Sequence, residues 1–555
     1  MMQGENKIFR FGILCNGYSF AAWQTLVIEE LINQGHIPVV LIVDDTQTPQ
    51  RSILKKISRY TGKNGLYNLF ERFVFNIPAK KPTDMEEALR HAEVIRAVPE
   101  LKGFGQYFNE DIIKQIKECA PDFLLRFGFN IIRGEILEAA PLGVWSYHHD
   151  DEMKYRGGPP AFWEIAKGDP VNGVILQKLT DRLDGGIILK KGYFKTTLHS
   201  YSGNLNRVLV EASKWPAEIC SQLASGKYFL SGTASKSDAP VFKKPGNIQM
   251  LKFLYVKLLY RIQFHYQELM QAERWDLMLI KQKKQKPGIP DMNGERISLP
   301  KPAKNHFHAD PFLVKKGNHL HILYEDFDYK INKGVIGYFS LDANTHKVIG
   351  RSCALEMECH LAYPHMFVHD NIIYCVPELS KSGAVELFSL DENTGKLNHV
   401  CQLLKFPGVD PILFFHEGNW WLFVTHASAS NEQLHIFYSE NLQGPYTAHP
   451  LNPVKTDIQS ARPGGRPEFV GGKLYRPAQM NSGRYGASLV WNEIESLTTV
   501  NFSEKTVLEL SPFDMKRYKQ GLHTWCRDGE YLIVDGKSYG FNRHHFLRNL
   551  KRKFR

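Results

Sequence analysis

The sequence predicts an α/β domain with a parallel sheet, followed by an all-β domain made of repeated units. Residues 7–43 read as a buried strand, a helix and a second buried strand, an order typical of a parallel α/β sheet. From about His306 the chain changes to short strands rich in aromatic residues and separated by turn signals. A Pro-containing motif recurs there about every 50 residues, which indicates the blades of a propeller.

Length and charge are ordinary for a globular chain of two or three domains. Of 555 residues, 43% are hydrophobic and 23% are charged, as is usual for soluble proteins. The formal net charge of +11 favours anionic partners such as nucleotides, phosphorylated glycans or an acidic membrane surface. Charge alone does not choose among these partners.

The cysteines and the apolar runs indicate the cellular compartment in which the protein is expected. The eight cysteines lie far apart, without a Cys-x-x-Cys pair, which argues against a zinc knuckle or a disulfide framework and suits a reducing cytoplasm. The first residues lack the organisation of a signal peptide. No uninterrupted apolar run reaches the roughly 18 residues that a spanning helix needs. We therefore expect a cytoplasmic protein, and we predict no metal site.

The first domain begins with residues 7–15, KIFRFGILC, which read as a strand. Asn16-Gly17 turns the chain, a helix follows to Gly35, and a second strand spans 37–43. Another helix at 109–119 precedes an apolar strand that begins near Phe123. The first loop has no Gly-x-Gly-x-x-Gly pattern, so a dinucleotide site is not supported.

Residues 142–189 hold the side chains best suited to chemistry. Glycine and proline fix a loop at 155–160, a strand follows at 174–179, and a loop carries Asp184 before Gly185-Gly186. Two strand ends thus present an imidazole and a carboxylate, groups suited to acid–base catalysis. The polar cluster after the first of these strands consists of Ser146, His148, His149, Asp150 and Asp151.

This stretch resembles the catalytic domain of the folate-dependent formyltransferases, which include methionyl-tRNA formyltransferase and the amino-sugar N-formyltransferases. The family pattern is Asn-x-His, Arg-Gly, Gly-Val and Leu-Asp-x-Gly. The resemblance implies a Rossmann-like catalytic domain over residues 1–225 with 10-formyltetrahydrofolate as co-substrate. The matching residues here are Ser146-Tyr147-His148, Arg156-Gly157, Gly173-Val174 and Leu183-Asp184-Gly185-Gly186.

The same resemblance implies roles for individual residues. His148 would stabilise the oxyanion, and Asp184 would set the protonation of His148 and help to remove protons from the attacking amine. Ser146 stands where the family has Asn and is the third residue predicted for catalysis. An amine that attacks a formamide needs charge stabilisation and a nearby base, so the chemistry agrees. The residues implied for the folate pocket are Phe127, Gly128, Phe129, Asn130 and Ile131.

Residues 226–300 are predicted to form a linker with helices. Its first part, 226–249, is rich in Gly, Ser, Lys and Pro. Residues 250–278 show helical spacing of Leu, Tyr and Ile with basic residues between them. We expect a helix packed on a neighbouring domain, and the alternative is an amphipathic contact with a membrane.

Five repeated units are predicted over residues 301–540, and they suggest a five-bladed β-propeller whose first strands converge on one pocket. The motifs HADPF, YPHMF, ARPGGRPEF and LYRPAQ resemble the N-terminal domain of glucosamine inositolphosphorylceramide transferases. That domain is similar in turn to the propellers of glycoside hydrolase family 43. The units begin at Asp310-Pro311, Tyr363-Pro364, Asp410-Pro411, Arg466-Pro467 and His523-Thr524.

Asp310 and Asp410 occupy positions suited to the base and the pKa-tuning carboxylate of such a hydrolase. Arg466 stands where the acid is expected, and Glu468 is displaced so that it would point elsewhere. Binding or processing of an anionic glycan is therefore the expected role, and the alternative is that acids and arginines pair to fix the blades. The residues predicted to bind substrate are Asp310, Glu378, Asp410, Arg462, Arg466 and Arg476.

Residues 541–555 are predicted as a basic tail. Phe546, Leu547, Leu550 and Phe554 fall on one helical side among Arg and Lys. Such a tail can rest on an acidic membrane or remain solvated, and the sequence favours neither.

These observations predict a formyltransferase that moves a formyl group from 10-formyltetrahydrofolate to an amine of an amino sugar carried by a nucleotide or lipid. The propeller would bind or process the glycan, and nucleic acid is not an expected partner. Three alternatives stay open: methionyl-tRNA as acceptor, a propeller-based glycosyltransferase or glycosidase with a degenerate first domain, and a non-catalytic glycan-binding protein. The oligomeric state is not predicted.

Overall fold

A computed structural model describes residues 7–46, 60–74, 77–182, 185–226, 234–282, 290, 292–512 and 518–554. The chain divides into two compact units, Met1–Ile262 and Gln263–Arg555, called here the first and second units. The first unit combines helices with a mainly parallel sheet, and the second is built mainly from antiparallel sheets. The predicted two-domain layout is therefore confirmed.

The first unit is organised around a seven-stranded sheet. Five neighbouring strands run parallel, and the two strands at one edge are antiparallel. In spatial order the strands are Ile187–Lys195, Val171–Lys178, Val144–His148, Phe123–Arg126, Arg10–Cys15, Ile37–Asp44 and Glu93–Ala97.

Helices cover this sheet, and short strands form three small sheets beside it. The helices are Ala22–Asn33, Gly65–Val74, Glu86–Leu89, Glu110–Glu118, Phe162–Lys167, Tyr201–Ala212, Trp215–Ala224 and Asn247–Met270, with 3₁₀ turns at Pro78–Lys80 and Gly134–Glu138. The short strands are Ser19–Ala21, Pro82–Asp84, Glu100–Lys102, Gly105–Tyr107, Ile131–Ile132, Arg156–Gly157 and Val241–Phe242.

Both faces of the seven-stranded sheet are buried, because side chains alternate along each strand. Leu125 packs into the larger core with Trp145, and Leu124 packs into the smaller core with Val144. Gly12 permits close packing between strands, since a Cβ there would lie 2.5 Å from Leu124 Cδ2. The two cores hold the strand ends rigidly, which is what a site at those ends requires.

The described residues of the second unit form five antiparallel sheets of four or five strands each. Four of them follow one another in chain order. The first sheet consists of His306–Lys316, His319–Asp328, Lys333–Asp342 and Val348–Leu355, and the second of Ala362–His369, Ile372–Glu378, Val385–Asp391 and Lys396–Leu404. The third consists of Gly408–His416, Asn419–His426, Gln433–Ser439, Thr447–Ala448 and Lys455–Thr456. The fourth consists of Glu468–Val470, Lys473–Met480, Ser488–Leu497 and Phe502–Leu510. Their closure into a five-bladed propeller stays a prediction.

The fifth sheet joins strands from distant parts of the chain and corrects the predicted linker. Ala272–Lys281 pairs along its whole length with Tyr531–Gly540, and the outer strands of this sheet are Glu295–Ile297 and Trp525–Asp528. The segment 226–300 is therefore not a linker throughout, since its last part belongs to the second unit. Its helix ends at Met270, and residues 272–278, predicted as helical, form a strand.

A backbone feature explains the repeated motif at the start of the first three sheets. Asp310, Tyr363 and Asp410 have φ values of 50°, 45° and 49°, in the left-handed region that non-glycine residues seldom adopt. The strand register shifts at each of these positions, as at a β-bulge. The proline that follows each of them fixes the next φ angle, so the repeat encodes the same bend three times.

The predicted basic tail forms a helix, Arg543–Lys553. The side chain of Asn542 caps it by accepting hydrogen bonds from the backbone N–H groups of His544 and His545. Short 3₁₀ turns in the second unit lie at Ser380–Ser382 and Ala427–Ala429. Among the described residues, no helix has the length and apolar character needed to cross a membrane.

Candidate functional sites

A cavity of about 620 Å³ opens in the first unit at the ends of two neighbouring parallel strands. Arg126 ends one strand, and Tyr147 and His148 end the other. Open α/β sheets bind ligands at the carboxyl ends of their strands, and this volume is usual for a small-molecule site. The cavity is lined by Gly103, Phe104, Arg126, Phe129, Asn130, Ile131, Ile132, Arg133, Tyr147, His148, Gln177, Leu179, Thr180, Asp181 and Arg182.

His148 reaches the cavity with its ring orientation fixed by the backbone. Its Nε2 atom donates a hydrogen bond to the carbonyl oxygen of Tyr155 at 3.0 Å. A carbonyl oxygen can only accept, so Nε2 carries a proton and Nδ1 is the ring atom that can accept one. The ring is therefore able to act as a base through Nδ1.

Buried polar contacts hold the chain that follows His148. Asp150 Oδ1 accepts a hydrogen bond from the backbone N–H of Ala161 at 2.7 Å. Asn172 Nδ2 donates to the carbonyl oxygen of His149 at 3.2 Å. These contacts fix the turn after the strand, and with it the position of the imidazole.

The other members of the predicted polar cluster do not line the cavity. His149 is buried against Trp23 and Tyr147, with ring centroids 5.1 and 5.3 Å away. Burial lowers the pKa of His149 to about 3, so its ring is neutral at neutral pH. Asp151 accepts a hydrogen bond from Lys191 Nζ at 2.9 Å. These side chains support the site without facing it.

Ser146 is buried. Its side chain contacts the guanidinium group of Arg126 and does not line the cavity. Its Oγ atom accepts hydrogen bonds from Arg126 Nε at 3.0 Å and from Nη2 at 2.9 Å. Arg126 Nη1 donates to the carbonyl oxygens of Asn130 at 2.9 Å and Phe129 at 3.4 Å. Burial lowers the pKa of Arg126, which still lines the cavity. The group that faces the cavity is thus a cation positioned by Ser146.

The residues implied for the folate pocket divide into two sets. Phe129–Ile131 lines the cavity. Phe127 instead packs edge-to-face on Trp23, with centroids 5.4 Å apart. Gly128 lies against the backbone, where a Cβ would come within 2.8 Å of the carbonyl carbon of Cys15. Three of the five residues can therefore contact a ligand, and the other two shape the wall behind them.

Asp184 and Leu183 lie outside the described residues. The two residues just before them, Asp181 and Arg182, line the cavity. Asp181 Oδ1 accepts a hydrogen bond from the backbone N–H of Gly134 at 3.1 Å. The predicted partnership of Asp184 with His148 therefore stays a prediction.

Arginines and aromatic rings give the cavity its chemical character. The three arginines at its wall are Arg126, Arg133 and Arg182. Guanidinium groups recognise carboxylates and phosphates, and the rings of Phe104 and Phe129 offer apolar contact. The cavity suits a ligand that combines a flat ring with negative charge, as a folate does.

Two glycine motifs of the family pattern have a packing role. Gly157 has φ +87°, and a Cβ there would lie 2.2 Å from the carbonyl oxygen of Phe242. A Cβ on Gly173 would lie 2.7 Å from Asp151 Cα. Both positions require glycine because another chain segment passes too close for a side chain.

A second group of functional side chains lies in the second unit, where the first and fifth sheets meet. His523 Nδ1 lies 2.5 Å from Asp535 Oδ2, and His523 Nε2 lies 3.3 Å from Asp310 Oδ1. Thr524 Oγ1 donates to Asp310 Oδ1 at 3.0 Å. Burial raises the pKa of Asp310 to about 6. Burial lowers the pKa of His523, but the charges of Asp535 and Asp310 outweigh this effect and hold that pKa above its usual value.

Asp310, His523 and Asp535 also have the composition of a metal site, with ligand atoms all within 4.8 Å of one another. The ion pairs and hydrogen bonds described above account for this proximity, because they hold the imidazolium of His523 between two carboxyl groups.

Asp410 is held by Arg462, which precedes the fourth sheet, and by Gln479 within that sheet. Arg462 Nε donates to its Oδ2 at 2.6 Å and Nη2 donates to its Oδ1 at 3.1 Å. Gln479 Nε2 also donates to Oδ2, at 2.6 Å. Glu378 lies 3.9 Å from the same guanidinium, which stacks over the Tyr485 ring at 5.1 Å. The two hydrogen bonds from one guanidinium group fix the orientation of the Asp410 carboxyl group.

The buried acid Glu325 lies within electrostatic range of the other acids. Burial raises its pKa well above the usual value, and so do the charges of Asp310, Glu378 and Asp410. Carboxylates that repel one another in this way are suited to binding a cation, because an amine would relieve the repulsion. The structure thus brings together four of the six predicted substrate-binding residues: Asp310, Glu378, Asp410 and Arg462.

The other two arginines are not brought to this acidic site. Arg466 Nη2 donates to the carbonyl oxygens of Leu313 at 3.2 Å and Met366 at 2.6 Å. Arg476 is buried and pairs with Glu504, with Nη2 2.5 Å from Oε1. Both have structural roles. Arg466 donates to backbone carbonyl oxygens, and Arg476 donates to Glu504 and to the backbone.

Glu468 lies where the sequence placed it, away from Asp310 and Asp410. Its Oε1 accepts a hydrogen bond from Trp525 Nε1 at 2.6 Å, and Arg527 Nε is 3.6 Å away. It is therefore engaged with the fifth sheet.

Sequence reasoning missed Arg126 and Asp535 as site residues. Arg126 ends the strand beside Val144–His148, and a charged residue at the end of an apolar run was the available signal. Asp535 lies in the apolar strand Tyr531–Gly540, where a buried acid needs a partner. That partner, His523, had been noted only as the start of a repeat.

Two family models match different parts of the chain. Residues 39–215 match the family described as Formyl transferase. Residues 297–533 match the family described as Glucosamine inositolphosphorylceramide transferase 1, N-terminal. The first half therefore carries a formyl transferase domain and the second half carries a domain of the latter family, so both predicted resemblances are confirmed.

Individual proteins match shorter parts. Glucosamine inositolphosphorylceramide transferase 1 from Oryza sativa subsp. japonica is 33% identical over 229 residues, 40% of this chain and 30% of that protein. Methionyl-tRNA formyltransferase from Borrelia turicatae (strain 91E135) is 32% identical over 120 residues, 21% of this chain and 39% of that protein. The chain thus spans well under half the length of these relatives. A thermostable family-43 glycoside hydrolase is similar at 13% identity and a TM-score of 0.29, over 36% of this chain and 74% of that one.

Proposed function

We propose that the first unit transfers a formyl group from 10-formyltetrahydrofolate to an amine of an amino sugar or related glycan precursor. The observation that carries the proposal is the pairing of a base and a cation at one cavity: His148, with Nδ1 able to accept a proton, and Arg126. Bound there, 10-formyltetrahydrofolate would supply the formyl group. The cavity fits it in volume, aromatic contacts and positive charge.

The protein's own groups would act on the amine and on the oxygen that gains charge. His148 Nδ1 accepts the proton that the amine loses as its nitrogen bonds to the formyl carbon. Arg126 presents positive charge to the carbonyl oxygen, replacing the amide that an Asn at position 146 would provide. The bond from the formyl carbon to its donor nitrogen then breaks, and that nitrogen takes up a proton. Asp184 is the proposed partner of His148 in this exchange.

The second unit is proposed to be a five-bladed propeller that binds the glycan. Contacts between sheets support closure. Arg466 bonds to the first and second sheets, His365 donates to the carbonyl oxygen of Leu413 in the third, and Gly465 bridges to Trp525 in the fifth. The acids around Glu325 would take the amine of an amino sugar, and Arg462 a hydroxyl or anionic group.

The acceptor class is the finer part of the proposal. The relative from rice is named for a glucosamine-containing sphingolipid, which supports a glycolipid or a glycan precursor. All eight cysteines are free, which supports the cytoplasm as the place of action.

A second candidate is catalysis by the second unit itself, as a glycosyltransferase or glycosidase. Asp310 favours it, because a carboxyl group with pKa about 6 could exchange a proton near neutral pH. Against it, Asp410 is bound by Arg462, and Glu468 is engaged with Trp525.

One experiment tests the main proposal. The full chain is assayed with 10-formyltetrahydrofolate and a panel of amino sugars, free, nucleotide-linked and lipid-linked, and compared with His148→Ala. We expect turnover to fall about 10²–10⁴-fold. The control is His91→Ala, an exposed histidine of the same unit, which should leave turnover intact. Unchanged turnover in His148→Ala would refute the mechanism, and turnover that disappears with Asp310→Asn instead would favour the second candidate.

A further inference from the structure

The helix Asn247–Met270 has an exposed apolar face. Its buried residues are Met250 and Phe253, and Phe253 packs on Phe70 and Phe162 in the core of the first unit. On the other side, large apolar side chains are 38–84% exposed. They are Ile248, Leu251, Leu254, Tyr255, Leu258, Leu259 and Ile262.

The shape and borders of this apolar face indicate its partner. At 3.6 residues per turn these positions cover an arc of about 140°, wider than the narrow a/d seam of a coiled coil. Lys252 and Arg261 stand at the two edges of the arc, and no acidic residue occurs between Asn247 and Gln267. A wide apolar face bordered by cations is typical of a helix that lies in a membrane interface, where tyrosine is also favoured.

The second unit carries a basic helix of its own, Arg543–Lys553. Glu268, which also belongs to the second unit, pairs with Arg552 at 2.5 Å and with Lys553 at 2.9 Å. Asn549 Nδ2 donates to the carbonyl oxygen of Glu268 at 2.8 Å. Residues 541–555 contain no acid. Exposed apolar side chains here are Phe541, Leu547 and Phe554.

We propose that the Asn247–Met270 helix docks the protein on the surface of an anionic lipid bilayer through the apolar face Ile248–Ile262. The apolar side chains enter the boundary between headgroups and acyl chains. Lys252 and Arg261 contribute attraction to acidic headgroups. This contact does not depend on the formyl transfer proposed above.

A second copy of the chain is a weaker occupant of this face. Two such helices packed face to face would bring Lys252 and Arg261 of each copy to the border of the contact, without an acid on that stretch to pair with them. Acidic headgroups supply the negative charge that a second copy lacks.

The test uses the full chain in vesicle co-sedimentation, with phosphatidylcholine alone or mixed with phosphatidylglycerol. We expect binding to the mixed vesicles to be at least about tenfold tighter and to weaken as salt is added. Leu251→Gln/Leu258→Gln/Ile262→Gln should lose binding about tenfold or more while remaining folded, because these side chains are exposed. The control is Val348→Gln/Ile349→Gln/Val507→Gln, which removes exposed apolar side chains of the second unit and should bind like the wild type.

A second variant tests the charge. Lys252→Gln/Arg261→Gln removes exposed cations at the two edges of the apolar face. This variant should weaken binding to the mixed vesicles and leave binding to phosphatidylcholine vesicles unchanged. Failure of the wild type to bind either vesicle would overturn the proposal, and so would full binding by the Leu251, Leu258 and Ile262 variant. A wild-type dimer in sedimentation velocity that this triple variant converts to a monomer, with vesicle binding unchanged, would assign the face to a second copy.

Discussion

The guanidinium of Arg126 donates two hydrogen bonds to the Oγ atom of Ser146, at 3.0 and 2.9 Å. The serine that departs from the formyltransferase pattern thus holds a cation at the wall of the cavity. A guanidinium has five N–H groups, and four are engaged by Ser146, Phe129 and Asn130. Charge stabilisation can therefore come from Arg126 at the site where the family uses an amide.

Removing the arginine should lower the rate of formyl transfer while preserving the fold. We expect Arg126→Ala to reduce kcat about 10²–10³-fold, as loss of an oxyanion donor does. Arg126→Lys should recover part of the rate because it keeps the charge but not the fork of donors. The measurement is steady-state kinetics, with Arg90→Ala, a surface arginine paired with Glu87, as control. Equal kcat for Arg126→Ala and wild type would show that the cation has no part in catalysis.

The serine should act through the arginine. Ser146→Ala deprives a buried guanidinium of its acceptor, which should cost about 1–3 kcal/mol of unfolding free energy and lower turnover. Ser146→Asn offers an amide oxygen as a new acceptor, so turnover should be kept or raised. Urea unfolding and the transfer assay on both variants check this. If Ser146→Ala matches the wild type in both measurements, Ser146 does not position Arg126.

The first unit should lose stability in acid through His149. Burial lowers its folded pKa to about 3 from 6.5, so between these values the unfolded chain binds a proton that the folded chain does not. The contribution of His149 is full above pH 6.5 and is lost as the pH falls toward 3, by about 1.4 kcal/mol per pH unit. Hydrogen exchange in the first unit, followed from neutral to acid pH, should show a shallower loss for His149→Phe. The exposed His91→Gln should retain the full slope.

Arg476 should prove structural. Arg476→Met leaves Glu504 buried beside one remaining cation, Lys455, and should destabilise the second unit by about 3–5 kcal/mol. Arg476→Met/Glu504→Leu should restore much of that stability, because it removes both buried charges. Thermal unfolding checks both variants. The folded double variant should bind an amino sugar as the wild type does. Loss of this binding with retained stability would show that Arg476 belongs to the acidic site.

The acids of the second unit should recognise an amine. We expect Asp310→Asn to weaken glucosamine binding, measured by calorimetry on the full chain, by about tenfold, since a charged hydrogen bond contributes about 1.5–3 kcal/mol. N-acetylglucosamine, which has no ammonium group, should bind wild type and variant alike. Tighter binding of N-acetylglucosamine than of glucosamine by the wild type would contradict the assignment.

Local sequence signals predicted the strand ends but not the partners across strands. His148 was found because it matches the histidine of the formyltransferase pattern, and Asp310 and Asp410 because a motif with a proline is repeated. Arg126 was missed because its role arises from the pairing of Phe123–Arg126 with Val144–His148. Arg466 and Arg476 were assigned to the acidic site because the local sequence does not reveal which groups a side chain contacts: Arg466 bonds to backbone carbonyl oxygens and Arg476 to Glu504.

The predicted linker shows that local sequence signals also fail to predict pairing between strands that lie far apart in the chain. Ala272–Lys281 reads as a plausible end of a helix, because its apolar residues continue the spacing of the segment before it. Its strand character depends on pairing with Tyr531–Gly540, more than 250 residues later in the chain. The local sequence does not reveal such a pairing, because the strand preference of a segment depends strongly on the strands beside it.

The fifth sheet fastens the beginning of the second unit to its end. A protease cut or stop codon after Asp528 would strip Ala272–Lys281 of the strand that it pairs with. Shortening this half of the protein from either side should therefore expose an unpaired edge and favour aggregation. Joining the two ends and opening a surface hairpin, such as the turn between Lys316 and His319, would keep every strand paired. A permuted chain of that kind would retain the pairing of the fifth sheet.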